Sequence, residues 1–343
     1  MSYKADYSRQ LSLGIMSEAK QAQIIQSRVL IFGAGGLGVA AVSYLAGAGV
    51  GAITLVDFDR IEASNLHRQT IYRVSDIGAY KAEVAASYVS ERNPDCEIDV
   101  VTRDLDLQTI HQLCKQHDIV LDCADDQAFS YVVNSVCLFT KKKAVFANAI
   151  KLEGQLFVLY PEVNQPCFNC LWPQGQSLAE SCDQAGVLGP VPGALGCLQA
   201  LEAIKILTNK QGSLKGCLLH CDFSSYEFSK IKVPKTEFCN HSLSLEDIER
   251  VFDIYASSNV PLVNQKMLQG NKLIDIRTMD ELTGSKPEYT AQHIEAQILK
   301  ANPQQYLNPK QPYLLLCASG KRSRQLSNNL QQMGYIVSPC RLS

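Results

Sequence analysis

The sequence predicts an α/β protein: a doubly wound, Rossmann-like, mostly parallel sheet with an antiparallel extension, followed by a smaller α/β unit. Three observations predict it. Short apolar runs alternate with segments of helical length through the first 150 residues. The first of those runs feeds a glycine-rich turn and then a helix. Beyond Gly154 the alternation changes, and further strands follow that extend the same sheet. At 343 residues the chain is long for one core and comfortable for two, at roughly 150 residues per domain.

In order, 29–32, 52–56, 97–101, 119–122 and 144–147 read as strands, and 37–49, 81–91, 107–115 and 128–139 as the helices between them. Strands at 155–160, 216–222 and 227–233 follow, with a strong helix over 195–207. The stretch 173–192 is rich in Gly, Pro, Ser and Gln and has no periodicity; an aperiodic loop of that length inside a compact domain is usually functional. Residues 234–244 are polar and read as a connector. Strands at 273–276 and 313–317, a helix over about 322–333 and one last strand make the smaller unit. The expected division is 1–238, a linker at 239–262, and 263–343.

Composition narrows the function classes. Hydrophobic residues are 46% and charged residues 19%, an ordinary globular balance, and a net charge of −2 exerts no global pull toward nucleic acid or an anionic membrane. Residues 1–10 lack the apolar core of a signal peptide, so no export is expected. The uncharged run 29–56 is long enough to span a bilayer, but its seven glycines argue for strand, turn, helix and strand. Thirteen cysteines without a secretory signal point to a reducing, cytoplasmic setting and to metal-binding or catalytic thiols. Cys137, Cys197, Cys217 and Cys221 lie in apolar runs as small hydrophobes; Cys167 with Cys170, Cys182, and Cys317 stand in different contexts.

The segment Gly33-Ala-Gly35-Gly36-Leu-Gly38 after an apolar strand is a G-x-G-x-x-G turn, where glycine lets backbone approach a phosphate at a helix N-terminus. Asp57 and Asp59 follow the next strand, where an acidic side chain grips ribose hydroxyls. By itself this motif reads as a nicotinamide-dependent oxidoreductase. The residues around it move the reading: Ser8-Arg9-Gln10 before the fold, Asn65-Leu66-His67-Arg68-Gln69 after the second strand, Lys81, and Asp122-Cys123-Ala124-Asp125-Asp126 at the end of a later strand. A triphosphate carries more charge than a dinucleotide and calls for Arg, Lys and a carboxylate that holds Mg²⁺.

Taken in this order, with Ala185-Gly-Val-Leu-Gly189 further on, the motifs over about 7–239 resemble the ubiquitin-activating-enzyme-like family of ThiF, MoeB and HesA. The resemblance implies that Gly36, Asp57, Asn65, Arg68 and Lys81 bind ATP, with Asp59 and Gln69 beside them. It also implies that Asp125 holds Mg²⁺ and that Arg9 reaches the neighbouring subunit's phosphates in a homodimer. The implied reaction is adenylation of the C-terminal carboxylate of a ubiquitin-like sulfur-carrier protein ending in Gly-Gly. Two departures stand beside Asp125: the family commonly has Asn at the site of Asp126 and Arg at the site of Ser130.

Cys167-Phe-Asn-Cys170 is a C-x-x-C knuckle, half of a tetrahedral zinc site. The resemblance puts the other half at a second C-x-x-C, which here reads Cys239-Asn-His241-Ser242. Three readings stay open: zinc bound by Cys167, Cys170, Cys239 and His241, a lost zinc site, or a redox pair at Cys167 and Cys170.

Cys182 lies in the polar loop Glu180-Ser-Cys-Asp-Gln, where a thiol that attacks the adenylated tail or resolves a disulfide is expected; a spectator cysteine is the alternative. Cys317-Ala-Ser-Gly-Lys321-Arg322-Ser323 follows an apolar strand and opens a helix, surroundings that stabilise a thiolate or persulfide. With Asp275-Ile-Arg277 and His293-Ile294 it resembles rhodanese-like sulfurtransferases, which implies sulfur transfer through a Cys317 persulfide and a sulfur donor such as a cysteine desulfurase. Such domains often continue with a further helix, and the usual Gly and Pro around His293-Ile294 are missing, so a non-catalytic tail stays open as the alternative.

Overall fold

The computed structural model describes residues 5–103, 105–173, 186–208, 214–237, 239, 241–258, 260–284, 289–317 and 321–342. They form two compact units, Met1–Ile248 and Glu249–Ser343.

The first unit opens with α1 (Ser8–Leu11) and α2 (Glu18–Gln26), then alternates β1 (Arg28–Phe32), α3 (Gly36–Gly47), β2 (Ala52–Val56), α4 (Lys81–Arg92), β3 (Glu97–Val101), α5 (Leu107–Gln116), β4 (Ile119–Asp122), α6 (Gln127–Thr140) and β5 (Lys143–Ile150). β6 (Glu153–Leu159), α7 (Phe168–Leu171), α8 (Pro190–Leu207), β7 (Cys217–Asp222) and β8 (Glu227–Lys232) complete it. The eight strands lie in the order β3-β2-β1-β4-β5-β6-β7-β8. β1 to β5 are parallel, and β6, β7 and β8 are added antiparallel. The central strands β1, β2 and β4 are almost wholly buried, as their continuous apolar runs require when helices cover both faces. Every residue of edge strand β8 is exposed, and Lys230 and Lys232 there discourage pairing with another edge.

Helix α8 starts at Pro190, inside the stretch expected to be a loop, with proline in its first turn. Proline's fixed φ suits the first helical turn, where its missing N–H costs nothing. α3 and α8 pack so closely that a Cβ on Gly196 would lie 2.2 Å from the Leu37 carbonyl oxygen. The run 29–56 is a strand, helix and strand, and among the described residues no helix is long and apolar enough to cross a membrane.

The connector expected over 239–262 holds α9 (Leu245–Ser258). Its buried Ile248, Tyr255 and Ala256 recur at helical spacing, which gives a polar segment an apolar stripe. The second unit continues with α10 (Gln265–Leu268), β9 (Lys272–Asp275), α11 (Met279–Gly284), β10 (Gln292–His293), α12 (Ala296–Ala301), α13 (Pro303–Tyr306), β11 (Tyr313–Cys317), α14 (Lys321–Gln332) and β12 (Val337–Arg341). Its sheet, in the order β10-β9-β11-β12, is parallel throughout. One face buries Ile274, Leu315 and Leu330, and the other buries Leu273, Leu316 and Cys340.

Candidate functional site

The glycine turn leaves β1 at Gly33, whose φ of +96° lies in the region open to glycine. A Cβ on Gly33 would sit 2.7 Å from the Cys123 carbonyl oxygen, and one on Gly38 would sit 1.9 Å from the Gly33 carbonyl oxygen. The turn is therefore pressed between the start of α3 and the loop that leaves β4. Burial raises the Asp57 carboxyl above its ordinary range, against the opposing hydrogen bond from Ala34. Its Oδ2 accepts from the Ala34 N–H at 2.7 Å and its Oδ1 from the Asp59 N–H at 2.9 Å. Lys81, buried at the start of α4, donates to Asp59 Oδ2 at 2.9 Å, and the Asp59 side chain is 61% exposed. One ionic arm thus runs from the turn to a lysine ammonium.

On the other side, Asn65 closes a short 3₁₀ turn by accepting from the Glu62 N–H at 3.0 Å. The Arg68 guanidinium donates to the Ser64 carbonyl at 3.0 Å. A Cβ on Gly36 would be 3.5 Å from the Arg68 carbonyl oxygen and 3.0 Å from Pro192, so the first turns of α3 and α8 and the Arg68 segment meet. Gln69 is buried beside Gly35, and its Oε1 has no hydrogen-bond partner among the described residues. A buried amide oxygen without a donor costs free energy, so this atom fits a ligand that donates to it, such as a nucleotide amine or hydroxyl.

Asp125 is exposed in the loop between β4 and α6, and Asp126 caps α6 by accepting from the Phe129 N–H at 3.1 Å. Sequence reasoning missed the buried half of this loop. Asp122 ends β4 at 2% exposure, and its carboxylate accepts from the Ser130 hydroxyl at 2.5 Å and from the Ala124 N–H at 3.2 Å. Burial pushes Asp122 up to about 7. Gln199 of α8 donates to the carbonyls of Asp122 at 2.8 Å and Val145 at 3.2 Å, and lies 3.3 Å from the Cys123 thiol. A glutamine inside an otherwise apolar helical stretch was the available signal. Arg9, in the last turn of α1, is exposed to solvent. Cys182 lies outside the described residues.

Cys167, Cys170, Cys239 and His241 are all buried, with ligand atoms within 4.8 Å of one another. Cys167 Sγ is 3.8 Å from Cys170 Sγ and 3.4 Å from Cys239 Sγ, and Cys170 Sγ is 3.5 Å from His241 Nε2. Zinc–sulfur bonds of about 2.3 Å imply tetrahedral edges of about 3.8 Å between sulfurs, slightly less to nitrogen. The spacing fits a bound cation. Thr236 donates to Cys170 Sγ and Asn169 to Cys239 Sγ, as outer partners of thiolate ligands do. Among the described residues His241 Nδ1 is buried without a hydrogen-bond partner, so ligation through Nε2 would fix a ring that none of them orients. Hydrogen bonding from Cys167 pulls the Cys239 thiol down to about 5, while the same pairing and burial drive Cys167 well up.

In the second unit Cys317 ends β11 fully buried. Its Sγ lies 3.4 Å from both the Ser323 N–H and the Ser323 hydroxyl, so the first turn of α14 faces the sulfur. The Ser323 hydroxyl also reaches the Cys340 carbonyl at 2.9 Å. Arg322 is held by both carboxylate oxygens of Glu281, a residue without a distinguishing signal in the sequence, and hydrogen bonding from Arg322 holds Glu281 down to about 2. Asp275 and Arg277 form a buried ion pair at 2.8 Å, and His293 Nε2 lies 2.7 Å from the Arg277 carbonyl oxygen. Residues 318–320 lie outside the described set.

Comparisons with known proteins extend these observations. The adenylyltransferase and sulfurtransferase MOCS3 of Drosophila virilis is 42% identical over 231 residues, 67% of this chain and 51% of that protein. The sulfur carrier protein ThiS adenylyltransferase of Escherichia coli (strain K12) is 41% identical over 202 residues, 59% of this chain and 80% of that one. The chain spans about half the length of the first of these relatives. The crystal structure of E. coli MccB with MccA-N7isoASN has a TM-score of 0.62 at 21% identity, covering 70% of this chain and 75% of that one, a likeness of fold. Residues 7–241, which contain the glycine turn, its ionic arm and the Cys/His cluster, match the ThiF family, and the chain belongs to that family.

Proposed function

We propose that this chain is an ATP-dependent adenylyltransferase for the C-terminal glycine carboxylate of a ubiquitin-like sulfur-carrier protein, and that its second unit supplies sulfur to the activated tail. One observation carries the reading. Around a single glycine turn the first unit gathers a buried lysine paired to an acidic residue, an arginine segment, an orphaned amide oxygen and an acidic loop. A hydride-transfer site has no need of that charge set, whereas a triphosphate does.

In this reading the backbone amides from Gly35 to Leu37, with Lys81 and Arg68, take the phosphates, and Asp57, Asn65 and Gln69 set the nucleoside. Asp125 would hold Mg²⁺, which would supply charge neutralisation for the leaving pyrophosphate. The carrier's carboxylate oxygen attacks the α-phosphorus, the bond to the β-phosphate oxygen breaks, and an acyl-adenylate forms. The chain's own contribution is positioning and electrostatic complement, with no covalent step in the first unit. Cys317, loaded as a persulfide by a donor such as a cysteine desulfurase, attacks the acyl carbon through its outer sulfur, and AMP leaves. A second thiol, Cys182 or another, then attacks the Cys317 sulfur and releases the thiocarboxylate, leaving a disulfide. The Cys167, Cys170, Cys239 and His241 set would hold zinc, whose role there would be structural. Arg9 acts across a homodimer, and the protein works in the cytoplasm; the functional domains are 1–238 and 263–343.

Exchange of labelled pyrophosphate into ATP, run against a panel of carrier proteins ending in Gly-Gly, tests the first step. Exchange with at least one carrier is expected; none with any carrier overturns it. A second reading, an adenylyltransferase whose rhodanese-like unit does no chemistry, is favoured by the complete burial of Cys317. Thiocarboxylate formation unchanged in Cys317→Ser would establish that alternative.

A further inference from the structure

We propose that Ser130 is a positioning residue for the adenylation step: its hydroxyl holds the buried Asp122 carboxylate and, through it, the backbone turn that presents Asp125 to the nucleotide. The inference rests on the adenylation reading and adds to it a residue in the body of α6.

Three carboxylates, Asp122, Asp125 and Asp126, lie within five residues at the end of β4. Like charges this close repel, so a loop that keeps them in one conformation needs donors. Asp126 satisfies the first turn of α6. Asp122 faces inward at 2% exposure, and the two donors to its carboxylate among the described residues are neutral: the Ala124 N–H and the Ser130 hydroxyl. The Ala124 bond sets the turn beside Asp125. The Ser130 bond joins the last residue of β4 to the second turn of α6, and so closes the loop from its far end.

Two further contacts pass this constraint to the phosphate side. The Asp122 carbonyl is fixed by Gln199 of α8, and the Cys123 carbonyl lies against Gly33, where no side chain fits. The loop is thus located from β4, α6, α8 and the glycine turn together. Removing the Ser130 hydroxyl leaves a buried carboxylate with one neutral donor, a state that costs the desolvation of the unpaired oxygen. The loop relaxes to relieve that cost, and Asp125 leaves its place. ATP binding itself does not need that carboxylate, but the cation's contribution to binding does.

The test titrates ATP into the full-length chain by calorimetry, once with magnesium chloride and once with EDTA. The quantity compared is the ratio of the two affinities in the wild type, Ser130→Ala and Ser130→Thr. The expected result is a fall in the ratio on the order of tenfold in the alanine variant, the worth of one hydrogen bond to a charged group, with recovery in the threonine variant. A change in general stability would move the melting temperature and leave the ratio alone. Ser130→Cys, close in volume and a weak donor, serves if the alanine variant does not fold, and an intermediate ratio is expected. Equal ratios in the serine protein and its alanine or cysteine variant overturn the proposal. A wild type that binds no ATP in either buffer overturns the adenylation reading, and the proposal with it.

Discussion

The Nε2 of His241 lies 3.5 Å from the Sγ of Cys170, joining the polar stretch after β8 to a knuckle 71 residues earlier. Ser242 stands where the family pattern has a fourth cysteine, and His241 supplies the fourth ligand atom of the cluster. Replacing His241 by Ala is expected to remove most of the bound zinc and lower the melting temperature of the first unit by several degrees, because metal binding is coupled to folding. Elemental analysis with thermal unfolding checks both. Ser242→Cys should change neither, since the fourth corner is already filled.

The ionic arm from Lys81 to Asp59 gives a second test. Lys81→Ala removes a buried ammonium beside the glycine turn and leaves Asp59, mostly exposed, to water. ATP affinity should fall by about tenfold or more, the scale of one charge-assisted contact to phosphate, with little loss of stability. Calorimetric titration with ATP separates the two effects.

Two glycines of α3 should respond oppositely to the same change. A Cβ on Gly38 would meet the Gly33 carbonyl oxygen at 1.9 Å, whereas one on Gly47 would meet nothing within 4 Å. Gly38→Ala is expected to cost ~3 kcal/mol or more through displaced backbone, and Gly47→Ala to be neutral or stabilising by up to ~1 kcal/mol. Denaturant unfolding of the two variants measures both.

The buried pair in the second unit predicts a large asymmetric effect. Asp275 and Arg277 are at most 2% exposed, and Arg277 donates to both carboxylate oxygens. Asp275→Ala leaves a guanidinium without its counter-charge in the core and should destabilise that unit by ~3–5 kcal/mol. Thermal unfolding of the full chain should show the second unit melting earlier.

Asp122 supplies a pH dependence. Its carboxyl is raised by burial to about 7, above the ordinary value it has when unfolded. The folded state therefore holds a proton that the unfolded state has lost between about pH 4 and 7, and stability falls as pH rises through that window, then levels. Asp122→Asn removes this slope. Melting temperatures measured from pH 5 to 8 should draw apart up to about pH 7 and then run parallel.

Much of this architecture was readable beforehand, and the reasons are physical. The strands 52–56, 97–101 and 119–122 matched residue for residue, because covered parallel strands leave uninterrupted apolar or alternating runs. α2 and α9 were missed: both are rich in polar residues, and each earns its helix by burying a few side chains. The glycine turn, Lys81 and the cysteine knuckle announce themselves by residue type and spacing. Ser130 and Glu281 do not, since a serine hydroxyl or a surface glutamate becomes significant only through the partner that folding brings to it. Asp122 was visible as part of a motif, but its inward orientation was not.

The tight seam between α3 and α8 has an evolutionary corollary. Gly196 stands where a single added carbon would collide with the main chain of α3, and Gly38 where one would collide with the glycine turn, so both positions tolerate almost no drift. At the β8 edge of the sheet every side chain is turned outward, and substitutions there meet mostly water. Divergence among descendants of this chain should therefore accumulate along the β8 margin, where new binding preferences can arise without disturbing the glycine turn.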